Sequence, residues 1–466
     1  MWYLGSNMSR HAKSAGSGFT VDGGTGFDSV REVLAKANEE KTGDELAGIA
    51  ADTEAERVAA KRTLAGTRLE TLRENPVVPY DDDEVTRVIQ DAVREPVYER
   101  ICDWTVADLR EFLVDSGTTD REIRAIRPGL TSEMIAAVTK LMTNLDLVLA
   151  TSKMEVTARC NNTVGTDGAL SFRLQPNDPS DDVERILDAT REGLSYGVGD
   201  AVIGINPVED GVGTVTDILE ATHDLIEEWS IPTQNCCLAH ITTQMDAISE
   251  GAPADLVFQS LAGTEAGNDE FGVDVDLLDD AHDLALRRST ASGPNVTYFE
   301  TGQGSELSGD AHEGVDQLTL EARCYGLAKR YDPFMVNTVV GFIGPEYLYD
   351  GRQVIRAGLE DVFMGQLHGI PMGIDACYTN HIQADQNDIE NLAVLLAAAG
   401  ANFFITVPMG DDVMLNYQSN SYHDAAALWE VFDLEPAPEF RDWLIDVGVW
   451  KNGRLTERAG DPTVFT

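Results

Sequence analysis

Lysine is nearly missing from this chain: 8 of its 34 basic residues are lysine, set against 80 aspartates and glutamates, which leaves a formal net charge of −46 over 466 residues. A skin this acidic repels phosphate, so nucleic acid and anionic membranes are excluded as partners. The acids run along the whole chain instead of forming one block. That fits a salty cytoplasm, where at molar salt the Debye length shrinks to roughly 3 Å and self-repulsion is screened. Cysteine is sparse too: Cys102, Cys160, Cys236, Cys237, Cys324 and Cys377 form no CxxC pair and no zinc-type cluster, which argues against a disulfide framework and for a reducing cytoplasm. The adjacent Cys236 and Cys237 read as small buried apolar residues. No apolar run is long enough to span a bilayer. The most hydrophobic window, "LAVLLAAAGANFFITVPM" from Leu392 to Met409, breaks at Gly400-Ala401-Asn402 and predicts a buried helix, a turn and a buried strand. The first residues lack a signal-peptide core, and their Gly/Ser content predicts a disordered tail over 1–26.

Several catalytic motifs are absent as well. There is no P-loop, no G-x-S-x-G elbow and no three-cysteine cluster of the radical enzymes that use S-adenosylmethionine. "TGQGSEL" offers Gly302 and Gly304, but Leu307 stands where a dinucleotide cradle needs its third glycine.

What is present divides the chain in two. Residues 27–160 carry apolar positions at three and four spacing, as in "FDSVREVLAKANEE", "AERVAAKRTLAGTRLETLR" and "DDEVTRVIQDAVREPVYERI", and predict an N-terminal helical subdomain with solvated polar faces. Thr105 with Asp108 three residues on reads as a capping box. Over 161–466 the texture changes to eight short apolar runs, 169–175, 200–207, 234–241, 255–263, 296–304, 335–344, 370–380 and 402–412, most followed by an amphipathic helical pattern. Eight strands alternating with helices predict an α/β fold, a (β/α)8 TIM barrel, followed by a C-terminal extension; an open doubly wound sheet is the alternative.

In such a barrel the chemistry gathers at the C-terminal ends of the strands. Side chains alternate along a strand, so in "SFRLQPND" Arg173 and Gln175 share one face and Leu174 takes the other. Reading the remaining ends gives Asn206, His240, Gln259 with Ser260, Glu300, Phe342, Asp375, and Asp411 with Asp412. Carboxylates and carboxamides around one guanidinium suit a small polar molecule bearing a positive charge and a hydroxyl or carbonyl. His240, Asp375 and His381 would be the ligands of a metal-dependent hydrolase, although no closely spaced histidine pair supports it.

The segments "RLQPND", "GDAVIGINPV", "IPTQNCCLAHITTQ", "FETGQGSELS", "DPFMVNTVVGFIGPEYLY", "GIDACYTNH" and "MGDDVMLNYQ" together resemble the large subunit of ethanolamine ammonia-lyase, an adenosylcobalamin-dependent radical enzyme, from about Phe27 to the C-terminus. The resemblance implies a barrel that converts ethanolamine to acetaldehyde and ammonia. It implies that Arg173, Gln175, Asn206, Glu300 and Asp375 hold the substrate with Phe342 beside it, and that Glu300 and Arg173 act in catalysis. It places the cofactor near Ser260, Glu270, Phe271, Ser308 and Leu415, with Ile405 where the family has a methionine. The D-x-H-x-x-G motif of other cobalamin enzymes is missing: Asp280-Ala281-His282 is followed by Ala285. This agrees with the family's base-on cofactor, whose lower face is covered by a separate small subunit in a large hetero-oligomer. The family resemblance carries no protein-bound metal. It implies a cytoplasmic enzyme, with a protein-shelled microcompartment left open. A non-catalytic barrel scaffold or binding subunit and the metal-dependent hydrolase remain as alternatives.

Overall fold

The structure, a computed structural model, describes residues 26–308, 311–342, 344 and 346–465. All but the last residue of the expected N-terminal tail lies outside the described residues.

Each of the eight apolar runs forms a strand: β1 Ser171–Leu174, β2 Val202–Ile205, β3 Asn235–Cys237, β4 Val257–Ser260, β5 Thr297–Thr301, β6 Met335–Val340, β7 Met372–Ala376 and β8 Phe403–Thr406. They are parallel and pair in the order β3-β2-β1-β8-β7-β6-β5-β4, with β1 against β8 closing the ring. Strands buried on both faces need apolar residues at nearly every position, which is why these stretches read as runs. One face looks into the barrel, where Val202, Cys236, Phe258, Tyr298, Met335 and Phe403 pack with a small hairpin, Ala158–Arg159 and Thr163–Val164, that plugs the N-terminal end. The other face meets the helices through Phe172, Leu174, Ile203, Cys237, Phe299, Ile374 and Phe404. Each fully buried side chain of this kind contributes roughly 1.5–3 kcal/mol. Cys236 and Cys237 therefore face opposite ways, both buried and free.

The ring has a seam. Between β3 and β4 only a single backbone bond, Leu256 N–H to the Asn235 carbonyl, is made, and side chains supply the rest. Asn235 and Asp255 exchange bonds through their side chains, and Gln244 donates to the carbonyls of Ala239 and Phe258 while accepting from the Phe258 N–H.

Outside the strands lie α1 Val183–Ser195, α2 Val212–Trp229, α3 Ile241–Glu250, α4 Val275–Arg288, α5 Gln317–Ala328, α6 Gly351–His368, α7 Gln386–Ala399 and α8 Tyr422–Phe432. Gly400 adopts a φ of 83° after α7, the left-handed turn expected between that helix and β8. The segment beyond α8 returns beneath β1, where Trp429 donates to the Leu170 carbonyl and Leu170 N–H to Glu435. No helix among the described residues is long and apolar enough to cross a membrane.

The helices before the barrel form as patterned, with two breaks: "DDEVTRVIQDAVREPVYERI" gives Glu84–Asp91 and then Glu95–Tyr98. "AERVAAKRTLAGTRLETLR" is two helices, Glu54–Gly66 and Leu69–Glu74, because Thr67 turns extended and the chain pairs with Thr105 through an isolated bridge at Arg68. Thr105 and Asp108 do make the capping box. This layer lies on α5, α6 and α7 through helices Glu84–Asp91, Ser132–Lys140 and Asn144–Thr151. Its polar residues are not all solvated, as the periodicity implied. Lys41, Asp83, Glu133 and Lys140 are buried at the junction and paired with Glu360, Arg323 and Asp316 of the barrel.

Candidate active site

Arg173 crosses the barrel. It leaves β1 on the inward face and reaches the opposite wall, where Nη1 donates to the Tyr298 hydroxyl at 2.5 Å and to Glu300 at 2.6 Å. Its other amine, Nη2, donates to Asn206 Oδ1 at 2.9 Å. The path exists because residue 204 on β2 is glycine: a Cβ there would stand 2.8 Å from Arg173 Nε. Leu174 points outward against α1, as alternation requires.

Above the guanidinium a cavity of about 350 Å³ opens at the C-terminal end of the strands, lined by Gln175, Asn206, Glu300, Asp375, Phe342 and Tyr417 among others. The sequence-derived substrate residues thus converge, with Arg173 standing behind the wall and acting on the cavity through Glu300 and Asn206. The hydrogen bonds also orient the two carboxamides. Gln175 commits its NH2 group to Asp412 at 2.7 Å and Tyr417 at 2.8 Å, so its carbonyl oxygen is what it offers the cavity. Asn206 commits its carbonyl oxygen to Arg173, so it offers its NH2 donor. One end of the cavity accepts and the other donates.

The carboxylates differ in company. Glu300 receives Arg173, the Tyr298 hydroxyl and, at 3.4 Å, Asn337. Asp375 accepts from the Ser419 hydroxyl, with the Tyr417 hydroxyl and the Cys377 thiol beside it, and no cation touches it. Burial pushes its pKa up to about 7 against those hydrogen bonds. Burial likewise pushes the Tyr298 and Tyr417 phenols well up, so both stay protonated as donors.

Of the residues expected near the cofactor, Ser260, Phe271 and Leu415 line the cavity. Glu270 is exposed at the end of the short helix Glu265–Glu270, beside Phe271. Ile405 is buried in β8 in register with Arg173 and does not line the cavity. Ser308 ends the helix Ser305–Ser308, and its side chain lies outside the described residues. The remaining mouth residues have structural partners. Gln259 accepts from the Ile241 N–H, Asp411 pairs with Gln418, and Asp412 holds the turn that presents Leu415 by accepting from its N–H. His240 caps α3, with its ring nitrogens on Thr242 and the Phe271 carbonyl, while His381 is exposed. The three residues of the hydrolase reading do not come together. His282 lies within α4, its ring against Tyr331.

Sequence reading missed Tyr298, Asn177 and Tyr417. Tyr298 was findable, since it lies two residues before Glu300 and must share its inward face. Asn177, inside "RLQPND", bridges Asp412 and the Asn206 backbone. Tyr417 follows the last strand in a segment without periodicity, and nothing in the sequence marks it.

The family model described as Ethanolamine ammonia lyase large subunit (EutB) matches residues 25–458. The Ethanolamine ammonia-lyase large subunit of Escherichia coli (strain K12) is 54% identical over 439 residues, covering 94% of this chain and 97% of that protein. The protein of the same name from Salmonella typhimurium (strain LT2) is 54% identical over the same length and coverage. With its strands, its cavity and nearly its whole length accounted for in this way, the chain belongs to the ethanolamine ammonia-lyase large-subunit family.

Proposed function

We propose that the cavity binds ethanolamine as its ammonium form and that the chain, with a small-subunit partner and adenosylcobalamin, deaminates it to acetaldehyde and ammonia. The observation that carries this reading is charge. Two carboxylates face a cavity whose one guanidinium is already bound to Glu300, leaving Asp375 without a cation. An unpaired buried carboxylate is costly, and an alkylammonium against it removes the cost.

The oriented carboxamides support the same placement. The Gln175 carbonyl accepts from the ammonium, and the Asn206 NH2 donates to the substrate oxygen. Glu300 accepts from the hydroxyl and serves as base. Arg173 fixes the Asn206 NH2 as a donor where charge on the oxygen rises and holds Glu300 as the acceptor, so no reorganisation is needed during reaction.

The residues fit adenosylcobalamin. In a chain with so acidic a skin, the barrel mouth exposes Val208, Phe342, Met409 and Val413, an apolar rim suited to a broad flat group. Ser260, Phe271 and Leu415 in the wall below would hold its adenosyl side. When bound, the cofactor would supply a carbon-centred radical, the chemistry needed to remove hydrogen from the carbon bearing the hydroxyl. The chain's own part is to hold both polar ends of the substrate and, with the rim covered, to exclude water.

Mixing the chain with its small subunit, adenosylcobalamin and ethanolamine at high salt tests the reading. Acetaldehyde and a paramagnetic radical signal are expected, and the absence of both would overturn it.

A further inference from the structure

Two tyrosines divide the site into matched halves. On the oxygen side Arg173 donates to the Tyr298 hydroxyl, which donates to Glu300. On the amine side Gln175 donates to the Tyr417 hydroxyl, which lies beside Asp375 in the cavity wall. Both donors leave β1, two residues apart, and each tyrosine is almost wholly buried. The halves differ in one respect: the first contains a guanidinium and the second has no cation of its own.

We propose that Tyr417 is the positioning residue of the ammonium pocket, its single hydroxyl setting the spacing between the Gln175 carbonyl and the Asp375 carboxylate and thereby the affinity for the amine end of the substrate. This rests on the function proposed above. The geometry is rigid. Tyr417 pairs with Asp412 in a short antiparallel bridge, and the neighbouring Gln418 exchanges two backbone bonds of 2.9 Å with Tyr378. Its ring meets Phe342 edge-on at 5.2 Å, so the residue over the mouth leans on the residue that shapes the pocket. Backbone pairing on one side and the Phe342 ring on the other hold Tyr417 in the cavity wall beside Asp375.

Removing that hydroxyl has a signature that simple loosening of the structure lacks. The groups facing Asp375 are Tyr417 and Ser419 after β8, Glu300 on β5, Arg173 on β1 and Cys377 after β7. Burial and Glu300 raise Asp375, while Ser419, Tyr417 and Arg173 lower it. Without the Tyr417 donor the carboxyl takes up its proton at higher pH, and a protonated carboxyl no longer pairs with an ammonium.

The test is Tyr417→Phe in the complete enzyme, with small subunit and adenosylcobalamin. The acid limb of kcat/KM should move to higher pH. KM for ethanolamine at pH 7 should rise about tenfold, the order expected for one lost hydrogen bond to a charged group, with kcat at saturation changed much less. Tyr298→Phe removes one hydroxyl from the other half and should lower kcat with the acid limb in place. Inhibition by 1,2-ethanediol, which carries no charge, should be unchanged in Tyr417→Phe. An unmoved acid limb, or loss of diol and ethanolamine binding together, would overturn the proposal. No turnover by the unmodified complex would instead overturn the function on which it rests.

Discussion

Two groups of buried charge in this protein look alike in composition and differ in what they leave open. At the junction of the helical layer and the barrel, Glu360 is bound by Lys41 at 2.7 Å and Arg356 at 2.6 Å, and Arg323 by Asp83 and Glu133 at 2.6 and 2.7 Å. In the cavity, no cation is bonded to Asp375, which accepts from the Ser419 hydroxyl. Burial by itself would raise both carboxyls. Lys41 and Arg356 nevertheless hold Glu360 down at about 2, whereas Asp375 stands near 7. Their effects on stability run in opposite directions. Glu360, depressed from 4.5, contributes stability above that value and loses it as pH falls through about 2. Asp375, raised from 3.8, contributes below that value and loses it as pH rises through about 7, unless a cation sits against it. Glu360 is closed by cations of this chain, whereas Asp375 in the cavity has none.

The sharpest way to break this contrast is to unpair the saturated cluster. Arg323→Met strands Asp83 and Glu133, and should cost ~3–5 kcal/mol in denaturant unfolding at high salt. A loss under about 1 kcal/mol would mean the junction is not a structural lock. Next comes Glu300→Gln, expected to lower turnover by roughly 10² to 10³, the usual range for losing a group aimed at developing charge. Near-normal turnover would remove Glu300 from the mechanism. Arg173→Lys should slow turnover about tenfold to a hundredfold, because an ammonium cannot reproduce the fork that reaches Tyr298, Glu300 and Asn206 together. Gly204→Ala should do the same by blocking the guanidinium's path, and wild-type kinetics in either would make the crossing incidental. The smallest effect belongs to the surface. Arg330 and Asp279 are both about two-fifths exposed, and Arg330→Ala should change stability by about 0–1 kcal/mol, less at molar salt.

The barrel was legible because its strands are short apolar runs bounded by turns, a signal that needs no knowledge of neighbours. The mouth residues were legible for the same reason: once a strand's end is placed, alternation says which side chain faces in. The path of Arg173 was not, since it depends on a missing Cβ on the adjacent strand and an acceptor on the far one. Nor were the partners of Lys41 and Lys140, because an amphipathic pattern shows that a helix has a polar face and not whether that face meets water or another charged helix. The role of Tyr417 depends on loop geometry after the last strand, where no periodicity operates.

The order in which the chain is made gives the closing pair β1–β8 a consequence of its own. These are the first and last strands of the ring, so a growing polypeptide carries seven strands before the barrel can shut. Arg173, Asn206 and Glu300 are synthesised long before that moment, but Asp412, Tyr417 and Ser419 follow β8. Arg173 meets Glu300 across the barrel only once the ring is shut, and the hydroxyls beside Asp375 are made later still. A chain that stalls shortly after Thr406 would have its eight strands and lack Tyr417 and Ser419, the hydroxyls beside Asp375.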